Sequence, residues 1–249
     1  QAIMNSEKAF KRFFNKISSF PKFKKKSHNN QKCYFFKNNK TDFEFYRHKI
    51  KIPTLKFVRL KEYGYIPKNA NIKSATISKE GNRYFLSLIL EMKKEIENSI
   101  SKKLESKEGI GIDLGIKDFA ICSDGQVFKN INKTLKVRKI EKKLKREQRK
   151  KSRKYLSCKK MEKNLYECKN FQKQKLVIDK LFFRLNCIRN DYINKVVNML
   201  TKTKLKCITI EDLKVSNMMK NRHLSKAISQ QKFYEFRTKL LNKCKEILN

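Results

Sequence analysis

Apolar residues recur in two rhythms along the chain, every three or four positions and every second position, and these mark out its elements. Residues 1–17 keep the helical rhythm through Ile3, Phe10, Phe13, Phe14 and Ile17. Ser18-Ser-Phe-Pro21 closes that helix, because proline disfavours helix in the residue before it. From about Lys32 to Met92 the rhythm is that of strands. Lys49-Ile-Lys-Ile52 and Phe57-Val-Arg-Leu-Lys61 alternate apolar and charged residues, with a break at Pro53. Ile72–Ser78 and Arg83–Leu90 flank the turn sequence Glu80-Gly-Asn82 and predict a hairpin. Several short strands within ~60 residues predict a small antiparallel β-barrel. The polar stretch Lys93–Lys107 reads as a domain boundary.

The remainder is organised around Gly109-Ile-Gly-Ile-Asp-Leu-Gly115. This apolar run bounded by glycines reads as a buried strand, and Phe119–Cys122 as its antiparallel partner across a tight turn. Gln126-Val-Phe128 supplies a third strand of the meander. Val137, Ile140 and Leu144 predict a helix with a single apolar stripe. Leu181, Leu185, Ile188, Tyr192, Val196 and Leu200 predict a stronger one over Leu176–Leu200, its stripe packed in the core. Leu205–Glu211 then reads as a strand that, after a helical crossover, lies parallel to the first. Asp212–Arg222 reads as a loop, and Leu224–Leu248 resumes helical spacing. Meander, long helix, parallel strand and helix is the order of an RNase H-like fold. The expected class is therefore α+β, with a small antiparallel barrel followed by an RNase H-like mixed sheet with long helices.

Charge changes the picture. The 249 residues hold 63 Lys and Arg against 23 Asp and Glu, a formal charge of +40, while 39% are apolar, enough for a core. Such an excess repels itself unless polyanions neutralise it, so nucleic acid is the expected partner. A membrane is not expected, since no stretch approaches the ~20 apolar residues of a span. The charge concentrates in Lys129–Lys163, with 17 Lys and Arg against 3 Glu. Like charges at helical spacing destabilise one another, so a phosphate backbone alongside is the preferred reading. Candidate phosphate contacts are Arg138, Lys142, Arg146, Arg149, Lys150 and Arg153 in that stretch. Lys22, Lys24, Lys25 and Lys26 in the basic run after the first helix, and Lys220 and Arg222 in the late loop, join them. The basic run serves equally well as a solvated linker. Seven widely spaced cysteines without a Cys-x-x-Cys suit free thiols in a reducing cytoplasm and offer no zinc site. No signal peptide is visible.

Two acids carry the candidate chemistry. Asp113 sits inside the glycine-bounded strand and Glu211 ends the later one, 98 positions on. A carboxylate in a buried strand is costly without a partner. Two carboxylates on neighbouring strands repel, and a hard divalent cation, magnesium or manganese, resolves that repulsion. Paired ions ~3.5–4 Å apart support hydrolysis of a phosphodiester. Alternatives stay open: Gly-Ile-Asp-Leu-Gly also suits the phosphate loop of an actin-like ATPase, and Glu211 alone suits a loop acid after a strand. His28, His48 and His223 fall in unrelated places and are assigned no ligand role, and Asp118, Asp124 and Asp212 read as turn acids.

Gly111-Ile-Asp-Leu-Gly-Ile-Lys-Asp-Phe-Ala120, Ser123-Asp-Gly125, Ile208-Thr-Ile-Glu-Asp-Leu-Lys-Val-Ser-Asn-Met218 and Lys220-Asn221 resemble the TnpB (OrfB) proteins of bacterial insertion sequences, relatives of the type V CRISPR effectors. Glu7–Phe14 leading into Phe20–Lys24, and Ile72–Ser78 before the Tyr84 strand, extend the resemblance over nearly the whole chain. It implies an RNA-guided DNA endonuclease with a wedge-like barrel and a RuvC nuclease domain, historically described as a transposase. Asp113 would be its first and Glu211 its second RuvC carboxylate. A guide RNA would read target DNA by base pairing, with basic surface holding the heteroduplex.

The resemblance also implies a third catalytic aspartate and a four-cysteine zinc ribbon, and no aspartate follows Asp212 here. The chain thus reads as an internal portion of such a protein, with poor or no cleavage expected from it alone. On this reading residues 1–20 end a helical recognition segment, 21–98 form the wedge-like domain and 108–249 the nuclease domain. The competing expectation is a remnant that binds RNA or DNA without cutting. A ribosomal-type RNA-binding protein would explain the charge but not the paired strand acids.

Overall fold

The computed structural model describes residues 2–22, 32–36, 44–52, 55–67, 70–80, 83–91, 109–202 and 207–248. The chain divides into two compact units, Gln1–Lys93 and Lys94–Asn249.

The first unit opens with α1 (Ala2–Phe14). It stops short of Ile17 because Lys16 takes a left-handed conformation (φ 56°). The Lys16 and Ile17 amides then donate to the Phe13 and Arg12 carbonyls, a Schellman-type ending. Phe20 folds back, its ring centre 5.3 Å from Phe13 and 5.8 Å from Phe10. Next come β1 (Lys32–Phe36), β2 (Phe45–Tyr46), β3 (Lys49–Ile52), β4 (Lys56–Arg59), β5 (Asn71–Glu80) and β6 (Arg83–Glu91). The β5–β6 hairpin forms as its turn sequence predicts, with Glu80 opposite Arg83. The expected closed barrel does not form among the described residues. Instead there are two three-stranded antiparallel sheets, β1-β5-β6 and β2-β3-β4. Both contribute to one apolar core around Ile50, Ile52 and Ile72, so a single layer of alternating side chains from each sheet suffices to bury it.

The second unit begins with β7 (Ile110–Leu114), β8 (Asp118–Cys122) and β9 (Val127–Lys129), an antiparallel meander. A 3-10 turn, Ile131–Lys133, leads into α2 (Leu135–Lys160) and then α3 (Lys169–Lys202). The sheet is completed by β10 (Ile208–Ile210), parallel to β7, in the order β10-β7-β8-β9. Within the stretch expected to be loop lies a short helix, α4 (Val215–Met218). The expected final helix is two, α5 (Ser225–Gln231) and α6 (Phe233–Leu248), broken at Lys232 (φ 56°). Lys232 tolerates that backbone because its ammonium is held by Asn190 and Glu235.

One face of this sheet is sealed. Ile110, Ile112, Leu114, Ala120, Cys122 and Phe128 pack on Ile193, Val196, Val197 and Leu200 of α3 and on Phe233, Phe236 and Leu240 of α6. Phe119 is the hub, its ring centre 5.2 Å from Phe236 and 5.6 Å from Tyr192. The apolar stripe of α2 (Val137, Ile140, Leu144) packs on Ile178, Leu181 and Leu185 of α3.

Candidate functional site

Because helices cover only one face of the sheet, β7 alternates. Ile110, Ile112 and Leu114 are buried, whereas Asp113 between them is exposed. This corrects the expectation of a strand buried on both sides, so the cost of burying Asp113 drops out of the argument. What remains is proximity. Along the parallel ladder Ile208 lies opposite Ile110, Thr209 opposite Gly111 and Ile210 opposite Ile112. The ladder ends at that pair, and Asp113 and Glu211 are the next residues along the two chains. In-register residues of parallel strands point to the same face, and neighbouring strands lie ~4.8 Å apart. Glu211 is exposed as well. Both line one open cleft of about 530 Å³, with Ile121 and Ser123 of the β8 side and Thr209 of β10. Glu211 also lines a neighbouring cavity of about 340 Å³ walled by Leu114, Phe233, Tyr234 and Arg237.

Among the described residues neither carboxylate makes a side-chain hydrogen bond or ion pair. Two free carboxylates side by side are a hard-oxygen donor set that suits magnesium or manganese, which keep several waters and need one or two protein carboxylates. Asp113 and Glu211 would hold such an ion. Among the described residues no three His, Cys, Asp or Glu cluster as metal ligands. The three acids expected at turns have local partners. Asp124 accepts from the Gln126 amide, the turn role expected of it. Asp118, read as a turn acid, lies instead in β8 and pairs with Lys129 at 3.3 Å. Asp212 is engaged by Arg237.

The turn that follows Asp113 is held from below by residues the sequence reading did not single out. Asn130 donates to the Ile116 carbonyl at 2.7 Å, and Gln231 donates to the Gly115 and Ile116 carbonyls at 3.2 and 3.3 Å. Both side chains are buried, 8% and 2% exposed. Asn132 receives Arg189 Nε at 2.7 Å, and Glu141 receives both Arg189 and Gln230. A polar network thereby joins the 3-10 turn, α2, α3, α5 and the β7–β8 turn. Single glutamines and asparagines in helical stretches carry no pattern that marks them in advance.

The cationic candidates divide. Arg138, Lys142, Arg146, Arg149 and Arg153 are all exposed and step by four, four, three and four, a stripe on the side of α2 opposite its apolar one. At 1.5 Å per residue it runs for about 22 Å. Lys150, also exposed, pairs with Glu147 at 2.9 Å. Lys220 and Arg222 are exposed beyond α4. Lys22 is exposed in the first unit, and Lys24, Lys25 and Lys26 lie outside the described residues. None of the described helices is long and apolar enough to cross a membrane.

Residues 88–222, which include both acids, match the family described as "Probable transposase", OrfB_IS605. Across 98% of its length the chain is 32% identical to "Putative RNA-guided DNA endonuclease InsQ" of Escherichia coli K12, covering 58% of that protein. It is 25% identical to "Putative RNA-guided DNA endonuclease" of Streptomyces pristinaespiralis, with 98% of the chain matched to 56% of the relative. The chain thus spans rather more than half the length of these curated relatives. The match over more than half of the chain shows that it belongs to the OrfB (TnpB) transposase family.

Proposed function

We propose that the chain forms part of an RNA-guided DNA endonuclease that hydrolyses phosphodiesters at the Asp113–Glu211 cleft with magnesium or manganese. The observation that supports this reading is the parallel β10–β7 ladder, beyond whose last pair Asp113 and Glu211 both line one open cleft. The order meander, two long helices, parallel strand and helices supports an RNase H-like, RuvC-type nuclease domain in the second unit. The first unit takes the wedge-like role, with residues 1–20 as the end of a recognition segment. Guide RNA and target DNA are the partners that the relatives' names suggest.

Asp113 and Glu211 would hold a cation through their carboxylates. Such a cation would supply polarisation of a phosphoryl oxygen and activation of water. Ser123 braces the edge of the cleft: its hydroxyl accepts the Gly111 amide at 3.0 Å, and its own amide donates to the Gly111 carbonyl. The stripe from Arg138 to Arg153 offers five cations to a polynucleotide backbone, whose phosphates recur every ~3.4 Å along one strand.

Cleavage of short single-stranded DNA with magnesium or manganese tests the reading, comparing the chain with Asp113→Ala. Cutting that vanishes in the variant while binding persists supports it. The two-acid donor set favours a second reading, a protein that holds nucleic acid without cutting it. Binding without cutting in both proteins would select that one.

A further inference from the structure

The small β2-β3-β4 sheet carries a feature that the cleft chemistry does not use. Its inner face buries Ile50 and Ile52. Its outer face presents aromatic rings to water, with Tyr46 60% and Phe57 47% exposed and their ring centres 5.7 Å apart at 47°. Tyr63 (64%) and Tyr65 (83%) continue the exposed aromatics in the segment after β4.

Cations are interleaved with these rings. Lys49 is opposite Tyr46 on one side and Arg59 on the other, and Lys51 is opposite Phe57. The Lys51 ammonium lies 5.9 Å from the Phe57 ring centre, and the Arg47 guanidinium 4.8 Å from that of Tyr63, with His48 stacked on the same ring at 6.0 Å. Residues 44–66 hold six Lys and Arg against two Glu, one of which, Glu44, pairs with Lys51. Surface cation–π pairs stabilise a fold modestly and do not need several rings left open to solvent. A protein partner or second copy would cover apolar surface without calling for this cationic surround.

We propose that the outer face of the β2-β3-β4 sheet is a base-stacking platform for single-stranded RNA, with Tyr46 and Phe57 taking bases and Lys49, Lys51 and Arg59 the phosphates between them. Aromatic faces accept any base, and adjacent cations hold the backbone, so the surface binds unpaired nucleotides without reading sequence. The choice of RNA rests on the RNA-guided reading above; the stacking geometry does not depend on the acids of the cleft.

The test measures binding of the full chain to a labelled oligouridine, an abasic ribose-phosphate strand of equal length and oligothymidine. Wild type is compared with Y46L/F57L, which keeps apolar bulk and removes the rings, and with K49A/R59A. The ring variant is expected to bind oligouridine about tenfold more weakly, with an unchanged slope against salt. It should bind the abasic strand as wild type does. The cation variant should show a shallower salt slope. Asp113→Ala should leave all of these values in place, so loss of cleavage and loss of the platform are read separately. Equal binding of oligouridine by wild type and ring variant would overturn the proposal. So would equal wild-type affinity for the abasic strand, a preference for oligothymidine, or a dimer of wild type that the ring substitutions dissolve.

Discussion

Replacing Arg189 by methionine tests whether the polar network under the β7–β8 turn holds the second unit together. Arg189 reaches Glu141 at 3.1 Å and Asn132 at 2.7 Å, and its side chain and that of Glu141 are only 14% and 22% exposed. Burial pulls the guanidinium below its ordinary pKa and Glu141 pushes it back up, so the pair is desolvated yet matched. Hydrogen bonds to charged groups contribute roughly 1.5–3 kcal/mol each, and breaking a fully buried pair costs about 3–5 kcal/mol. Partial exposure, with Gln230 still donating to Glu141 at 2.7 Å, places Arg189→Met at about 2.5 kcal/mol. That is about a 70-fold rise in the unfolding constant. Urea unfolding followed by circular dichroism, whose helical signal comes chiefly from α2, α3 and α6, measures it. The control is Lys195→Met, which removes the exposed Lys195–Asp191 pair at i,i+4 and should cost about 0.5 kcal/mol or less. A loss from Arg189→Met no larger than that of the control would refute the argument. Recovery of part of the loss in R189M/E141M, where no charge is stranded, would strengthen it.

Three further outcomes follow from the geometry. Gly115→Ala brings a Cβ to 3.0 Å from the Asp118 carbonyl, whereas at Gly111 the nearest atoms are 3.9 Å away; the first should lower the urea midpoint and Gly111→Ala should leave it nearly unchanged. Burial alone would raise the Glu235 carboxyl pKa, but hydrogen bonds from Lys232 and Lys239 outweigh it and hold the value below the ordinary 4.5. Stability from Glu235 is therefore present above the unfolded carboxylate value and is lost as pH falls through the lowered one, so Glu235→Gln should flatten the acid limb of the stability profile measured by urea melts at stepped pH. The buried Cys122 thiol is pushed up by burial and by Asp124. Mass spectrometry after iodoacetamide at pH 8 should find the exposed Cys187 and Cys207 modified well before it.

Much of the architecture was legible because a periodic apolar pattern is a local signal. The stripe Val137-Ile140-Leu144 of α2 packs on Leu181, Leu185 and Ile188 of α3, whose Tyr192, Val196 and Leu200 pack against the sheet, and the Glu80–Arg83 hairpin formed where its turn residues put it. The parallel pairing of β10 with β7 followed from the crossover between them, and Asp113 and Glu211 line one cleft beside it. Tertiary facts left weaker traces. An apolar run does not say how many faces of its sheet will be covered, so Asp113 read as buried and is exposed. Lys16 and Lys232 end or break helices in left-handed conformations that sequence ordinarily signals with glycine. Strand alternation predicted the β-rich first unit, but the expected barrel is two separate sheets among the described residues, because alternation carries no signal for closure. The network of Asn130, Asn132, Arg189 and Gln231 depends on contacts between residues up to 116 positions apart and has no local pattern at all.

The most direct test of the two-acid cleft is manganese binding, followed by electron paramagnetic resonance of the free ion during titration of wild type, Asp113→Asn and Glu211→Gln. Both substitutions keep size and remove one negative charge from the cleft. The account predicts a site in wild type that either substitution weakens and that magnesium displaces. Manganese binding unchanged in both variants would contradict it, leaving Asp113 and Glu211 as neighbours on a sheet without a shared ion.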